Sequence, residues 1–141
     1  MPQDAGPPED SRPKAVVGPH ENPVCIVDDD AVVCDSLSAL LDAHGFKALA
    51  HASSAAFLAD ERRARLGCLI IDQHMPGTDG LGVLATLRDE NIAVPSILIT
   101  GRLDASIAER AAKLAVMAIL EKPFPTGRLI ELVRAGLDRS I

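Results

Sequence analysis

Tryptophan and tyrosine are absent from this 141-residue chain and phenylalanine occurs three times, which rules out intrinsic fluorescence as a reporter. Basic side chains are also short: 14 Lys and Arg stand against 20 Asp and Glu, for a net charge of −6. With no Lys/Arg cluster to offset that balance, a polyanion meets no attracting field, and direct nucleic-acid binding is disfavoured. No apolar run approaches the ~20 residues that cross a bilayer. The N-terminal stretch lacks the basic start and apolar core of a secretory signal and the Arg-rich, acid-poor make-up of a transit peptide. A cytoplasmic protein without membrane insertion is therefore expected. Cysteines number three, an odd count, at Cys25, Cys34 and Cys68. Cys25 and Cys68 sit in apolar runs where a small hydrophobe serves, so all three are read as reduced packing residues.

What remains is the balance of an ordinary globular domain, 48% hydrophobic and 24% charged, with length for one core and no room for a second folded effector domain. Residues 1–22 are rich in proline and polar groups and cannot bury enough surface to order themselves. They read as a flexible tail, and residues 23–141 as the domain. From Val24 on, short apolar runs alternate with helical patterns, the mark of βα units on a parallel sheet. Five units can be counted. Val24–Val27 is an apolar strand that ends in Asp28, Asp29 and Asp30. Val33, Leu37, Leu40 and Leu41 then share one helical face, closed by Gly45. Lys47–His51 reads as an edge strand. Ser53 or Ser54 caps a helix that presents Phe57 and Leu58 and stops near Gly67. Cys68–Ile71 is the third strand and runs into Asp72 and a loop dense in turn formers, where Pro76-Gly77 and Asp79-Gly80 read as turns. A helix from about Leu81 follows, ending near Asn91. Ser96–Thr100 is the fourth strand, Ile107, Ala111 and Leu114 mark the fourth helix, and Ala118–Leu120 is the fifth strand. After the Glu121–Phe124 loop, Leu129, Ile130, Val133 and Leu137 stripe the last helix.

The polar residues worth notice all follow strands. Asp28 and Asp29 follow the first, Asp72 the third, Thr100 the fourth and Lys122 the fifth; in an open parallel sheet that edge is where sites form. Carboxylates gathered there cannot all stay ionised unaided, and a hard divalent cation such as Mg²⁺ relieves them. Taken singly, each residue has a plain structural reading. Asp28–Asp30 can be a strand end entering a helix, Asp72 a turn residue, Thr100 a β-branched strand residue and Lys122 a solvated lysine.

Together, Ile-Val-Asp-Asp-Asp at 26–30, Ile-Asp-Gln-His-Met-Pro-Gly-Thr-Asp-Gly at 71–80, Ile-Thr-Gly at 99–101 and Glu-Lys-Pro-Phe at 121–124 resemble the receiver domain of bacterial two-component response regulators. The resemblance implies a doubly wound α/β fold, flavodoxin-like, with a five-stranded parallel sheet in the order 2-1-3-4-5. It implies that Asp72 takes a phosphoryl group from the phosphohistidine of a sensor histidine kinase or phosphotransfer protein. Asp28, Asp29, Asp72 and the backbone carbonyl of His74 would hold Mg²⁺, while Thr100 and Lys122 would bind phosphoryl oxygens. Pro123 would follow a cis bond that aims the lysine inward.

Some positions depart from the family pattern. Ile119 stands where an aromatic switch residue is usual, Ala115 where a glycine is usual, and His74 and Arg102 occupy two variable positions flanking the phosphoacceptor. Ala112, Val116 and Ile119 form an apolar face on the fourth helix and fifth strand, a candidate surface for a downstream protein or a homodimer. As the chain stops about where the fifth helix ends, a stand-alone signalling protein is expected, not an enzyme with a turnover substrate. Two other readings stay open. One is a haloacid-dehalogenase-type phosphatase with Asp28 as nucleophile and Asp30 as acid/base, although it lacks the paired acids after the lysine and a cap insertion. The other is a receiver-shaped interaction module that no longer takes phosphate.

Overall fold

Continuous burial along the three central strands builds a sheet with two dry faces. In the computed structural model, which describes residues 22–139, the strands are β1 (Val24–Val27), β2 (Ala48–His51), β3 (Cys68–Asp72), β4 (Ser96–Thr100) and β5 (Ala118–Glu121). They pair in parallel in the order β2-β1-β3-β4-β5. Five helices connect and cover them: α1 (Ala31–Ala43), α2 (Ser54–Leu58), α3 (Gly80–Asp89), α4 (Ala105–Lys113) and α5 (Thr126–Arg139). Val24, Ile26, Cys68, Ile70, Ile97 and Ile99 face α1 and α5, packing on Leu37, Leu41, Leu129 and Val133. Cys25, Val27, Leu69, Ile71 and Leu98 face the other layer, packing on Phe57, Leu84, Leu87 and Ile107. Each such leucine removed from water stabilises the fold by about 1.5–3 kcal/mol. All three cysteines are free and buried, and burial pushes the Cys25 and Cys68 thiols up to about 12. That fits their reading as packing residues.

The second helix is not the single element expected. It stops at Leu58, and a 3-10 turn over Glu61–Arg65 follows. The break falls at Asp60, whose carboxylate accepts from Arg62 N at 2.9 Å and so starts a new turn. It also binds His51 Nε2 at 2.9 Å and Arg62 Nη2 at 2.7 Å. Asp79 is likewise not a simple turn residue but the N-cap of α3, accepting from Gly82 N at 2.7 Å. The apolar face foreseen on α4 and β5 is smaller than expected: Ala112 is exposed, but Val116 and Ile119 are half-buried against the α2–α3–α4 layer. The proline-rich segment lies, apart from Asn22 and the residues after it, outside the described residues.

Gly45, with φ +84°, and Asn91, with φ +62°, take the left-handed conformation expected after α1 and α3. Ala115 does so as well, at φ +56°, in the turn before β5. An L-residue pays about 1–2 kcal/mol for that geometry, while glycine costs ~0.4–1 kcal/mol in the unfolded chain. Ala115→Gly is therefore expected to stabilise the domain by roughly 0.5–1 kcal/mol, read as a higher urea midpoint with an unchanged slope. A lower midpoint would contradict the left-handed turn.

Candidate functional site

Because all five strands run in parallel, their carboxyl ends share one edge, and β1 and β3 lie side by side there. Three carboxylates meet at that edge. One oxygen each from Asp28, Asp29 and Asp72 lies within 4.8 Å of the others. Asp28 is 3% exposed, directly after the last residue of β1, and its Oδ1 accepts from Asp30 N at 2.9 Å. Burial, with the Asp72 charge adding to it, raises the Asp28 pKa above the ordinary carboxylate value despite that hydrogen bond and the nearby Lys122. Asp29 is exposed. Asp30 turns aside to cap α1, accepting from Val32 N at 2.9 Å.

Asp72 closes β3 with its side chain 6% exposed. Its Oδ1 lies 3.2 Å from Lys122 Nζ, a charge pair whose geometry falls outside a hydrogen bond, so that buried oxygen accepts no aligned donor. Clustered carboxylates with an unsatisfied buried oxygen fit a hard, oxygen-seeking divalent ion such as Mg²⁺, which completes its shell with water. Lys122 is anchored by its own backbone, donating N–H to Thr100 O at 2.9 Å, and the Lys122–Pro123 bond is cis. Its side chain is 42% exposed.

Thr100 ends β4 fully buried. Its Oγ1 donates to Arg102 O at 3.1 Å, accepts from Arg102 N at 3.1 Å, and lies 3.0 Å from His74 Nε2. His74 and Arg102 thus converge on the hydroxyl between them, a meeting that sequence position alone did not reveal. Ile119 sits mid-strand in β5 beside Leu98, half-buried.

Two contributors escaped the sequence reading. Gln73 is buried; its Nε2 donates to Asp79 Oδ2 at 2.9 Å and its Oε1 accepts from Leu81 N at 2.9 Å, clamping the strand end to the start of α3. Its one legible signal was a polar side chain in a buried run. Gly80 packs directly on the Asp72 carbonyl: a Cβ there would lie 2.6 Å from Asp72 O.

The model of the response regulator receiver domain matches residues 24–134. Among curated proteins, the chain is 39% identical over 122 residues to the transcriptional regulatory protein FixJ of Azorhizobium caulinodans, covering 86% of this chain and 58% of FixJ. It is 35% identical over 114 residues to the response regulator protein TodT of Pseudomonas putida, covering 81% of this chain and 50% of TodT. The chain thus spans little more than half the length of these relatives. Among solved structures, FixJ-N superposes with a TM-score of 0.76 at 38% identity, covering 83% of this chain and 94% of that one. Receiver domains are the phosphoacceptor modules of two-component systems and generally bind Mg²⁺ in an acidic pocket. Among the described residues no helix is long and apolar enough to cross a membrane. Sequence match, strand order and relatives agree, and the chain belongs to the response regulator receiver domain family.

Proposed function

We propose that this domain accepts a phosphoryl group on Asp72 from the phosphohistidine of a sensor histidine kinase or phosphotransfer protein. Mg²⁺ is the cofactor, and Asp28, Asp29, Asp72 and the backbone carbonyl of His74 would hold it. The observation that carries the reading is the Asp72 carboxylate, buried at a strand end with one oxygen lacking an aligned donor and a lysine 3.2 Å away. An Asp72 oxygen attacks phosphorus in line; a P–O bond forms as the P–N bond breaks, and the imidazole leaves with the electron pair. When bound, the cation would supply positive charge to offset the negative charge on the phosphoryl oxygens. Lys122 moves its charge from the carboxylate to the transferred group, and Thr100 donates a hydrogen bond to another phosphoryl oxygen. The group ends on the protein's own side chain, so the domain signals and turns over no separate substrate. Output passes through protein contact, with α4 and β5 as the docking region for a downstream protein or a second copy. The chain's net charge of −6 disfavours direct nucleic-acid contact, and the setting this reading requires is the cytoplasm, where histidine kinases present their phosphohistidine.

Acetyl phosphate with Mg²⁺, followed by mass mapping of the adduct, tests the assignment. A single phosphoryl group on Asp72 is expected. Label on Asp28 instead would move the chemistry to the haloacid-dehalogenase type; against that reading, Asp30 has a structural role as the N-cap of α1. No adduct, together with no Mg²⁺-dependent beryllofluoride response by amide NMR, would leave a phosphorylation-independent interaction module.

A further inference from the structure

We infer that the His74 side chain is a latch on Thr100: it holds the hydroxyl turned away from Asp72 and must be displaced before the phosphoryl group can be bound. The inference rests on the phosphoacceptor reading above and adds a positioning residue to it. A threonine hydroxyl has one proton and two lone pairs. Arg102 O can only accept and His74 Nε2 donates or accepts according to its tautomer, so the single Thr100 proton goes to one of these two, at 3.1 Å or 3.0 Å. Arg102 N–H can only donate, and it fills one lone pair at 3.1 Å. His74 Nε2 therefore either takes the proton or donates to the remaining lone pair, and in both tautomers it holds the hydroxyl. The hydroxyl's hydrogen-bond partners are Arg102 and His74, and Asp72 is not among them.

To donate to a phosphoryl oxygen, Thr100 has to withdraw its single proton from Arg102 O or from His74 Nε2. Turning the hydroxyl toward the phosphoryl group carries its proton and lone pairs off His74, so that bond is lost in either tautomer. A hydrogen bond made in one state and absent in the other weights the equilibrium toward the first by its net worth. His74 therefore disfavours the phosphoryl-engaged arrangement. The same motion frees Arg102, two residues before Asp104, the N-cap of α4. The loop stays tethered at Leu103, whose N–H donates to Glu121 Oε2 at 2.9 Å, so the release is focused on residues 101–102. Where Ile119 cannot supply an aromatic partner for Thr100, His74 is a polar side chain that senses the hydroxyl's direction.

The test is Mg²⁺-dependent beryllofluoride binding, followed by amide NMR, on the full chain and on His74→Ala, His74→Gln, Thr100→Ala and the double variant His74→Ala/Thr100→Ala. His74→Ala is expected to bind beryllofluoride about threefold to tenfold more tightly, the worth of one partly buried hydrogen bond. His74→Gln, whose amide N–H₂ reaches about as far as Nε2, is expected to restore the weaker binding. In the Thr100→Ala background the His74 substitution is expected to change nothing, because the latch acts through that hydroxyl. Weaker binding by His74→Ala would make His74 a phosphoryl contact and overturn the latch, as would an equal effect with and without Thr100. A parent protein that binds no beryllofluoride at all sinks the phosphoacceptor reading itself, which keeps the two failures apart.

Discussion

Asp28→Asn is expected to weaken Mg²⁺ binding about tenfold to a hundredfold, since affinity at such sites follows the number of charged ligands, and yet to stabilise the metal-free domain. The two effects share one cause. Asp28 is 3% exposed and shares its pocket with the Asp29 and Asp72 carboxylates, so its charge is desolvated and repelled until a cation arrives. Its folded pKa is accordingly raised, by burial first and by Asp72 second. A carboxyl whose folded pKa exceeds its unfolded value of about 3.9 binds more protons in the native state. The stability it contributes is fully present below that unfolded value and is lost as pH rises through the folded one. At neutral pH the ionised group therefore works against the metal-free fold. Asparagine keeps an oxygen for the Asp30 N–H bond of 2.9 Å and removes the charge. Urea denaturation without Mg²⁺ is expected to show the variant's advantage growing from about pH 4 toward neutrality. Comparing the two proteins isolates Asp28 from groups of opposite sense, such as Asp60, whose hydrogen bonds from Arg62 and then His51 depress its pKa. Calorimetric titration with MgCl₂ supplies the other half; unchanged affinity would remove Asp28 from the metal set.

The parts of this molecule that were legible from residues are those governed by short periods. Val24–Val27 and Ser96–Thr100 carry continuous apolar runs that end in a polar residue, and both strands lie where that pattern puts them. Gly45 and Asn91 marked helix ends because few other residues accept φ near +60 to +84°. The acidic trio was legible because a parallel sheet places every strand's carboxyl end on one edge. The break after Leu58 was not: an apolar face continues weakly through Leu66, and only the pull of His51 and Arg62 on Asp60 decides that the helix stops. The Thr100 network was hidden for the same reason, since His74 and Thr100 are 26 residues apart in the chain. Hydrogen bonds between side chains distant in sequence have no period to betray them. Asp79-Gly80 is the subtler case, because an Asx turn and a helix N-cap use the same residue types and only the chain beyond settles which forms.

Gly80 is where that ambiguity has the largest consequence. Gly80→Ala is expected to destabilise the domain by about 1–3 kcal/mol and to weaken Mg²⁺ binding as well, although residue 80 carries no functional group. The physical reason is a close approach of two backbones. Gly80 N donates to Gln73 O at 3.1 Å, which draws the start of α3 against the end of β3. A Cβ at Gly80 would sit 2.6 Å from Asp72 O and 3.1 Å from both Asp72 C and Gln73 Cα, all main-chain atoms that no rotamer change can move aside. Relief has to come from shifting the helix start or the strand end, and the strand end carries the Asp72 carboxylate. Gly127→Ala is the control. It lies in the first turn of α5, its Cβ would meet nothing within 4 Å, and alanine's higher helix propensity makes a neutral or slightly stabilising result the expectation. If Gly80→Ala matched the parent in both urea midpoint and Mg²⁺ titration, the packing of α3 on β3 would be looser than these distances state. A loss of stability with metal affinity intact would assign the strain to α3 alone, leaving Asp72 held by β3 and its neighbours.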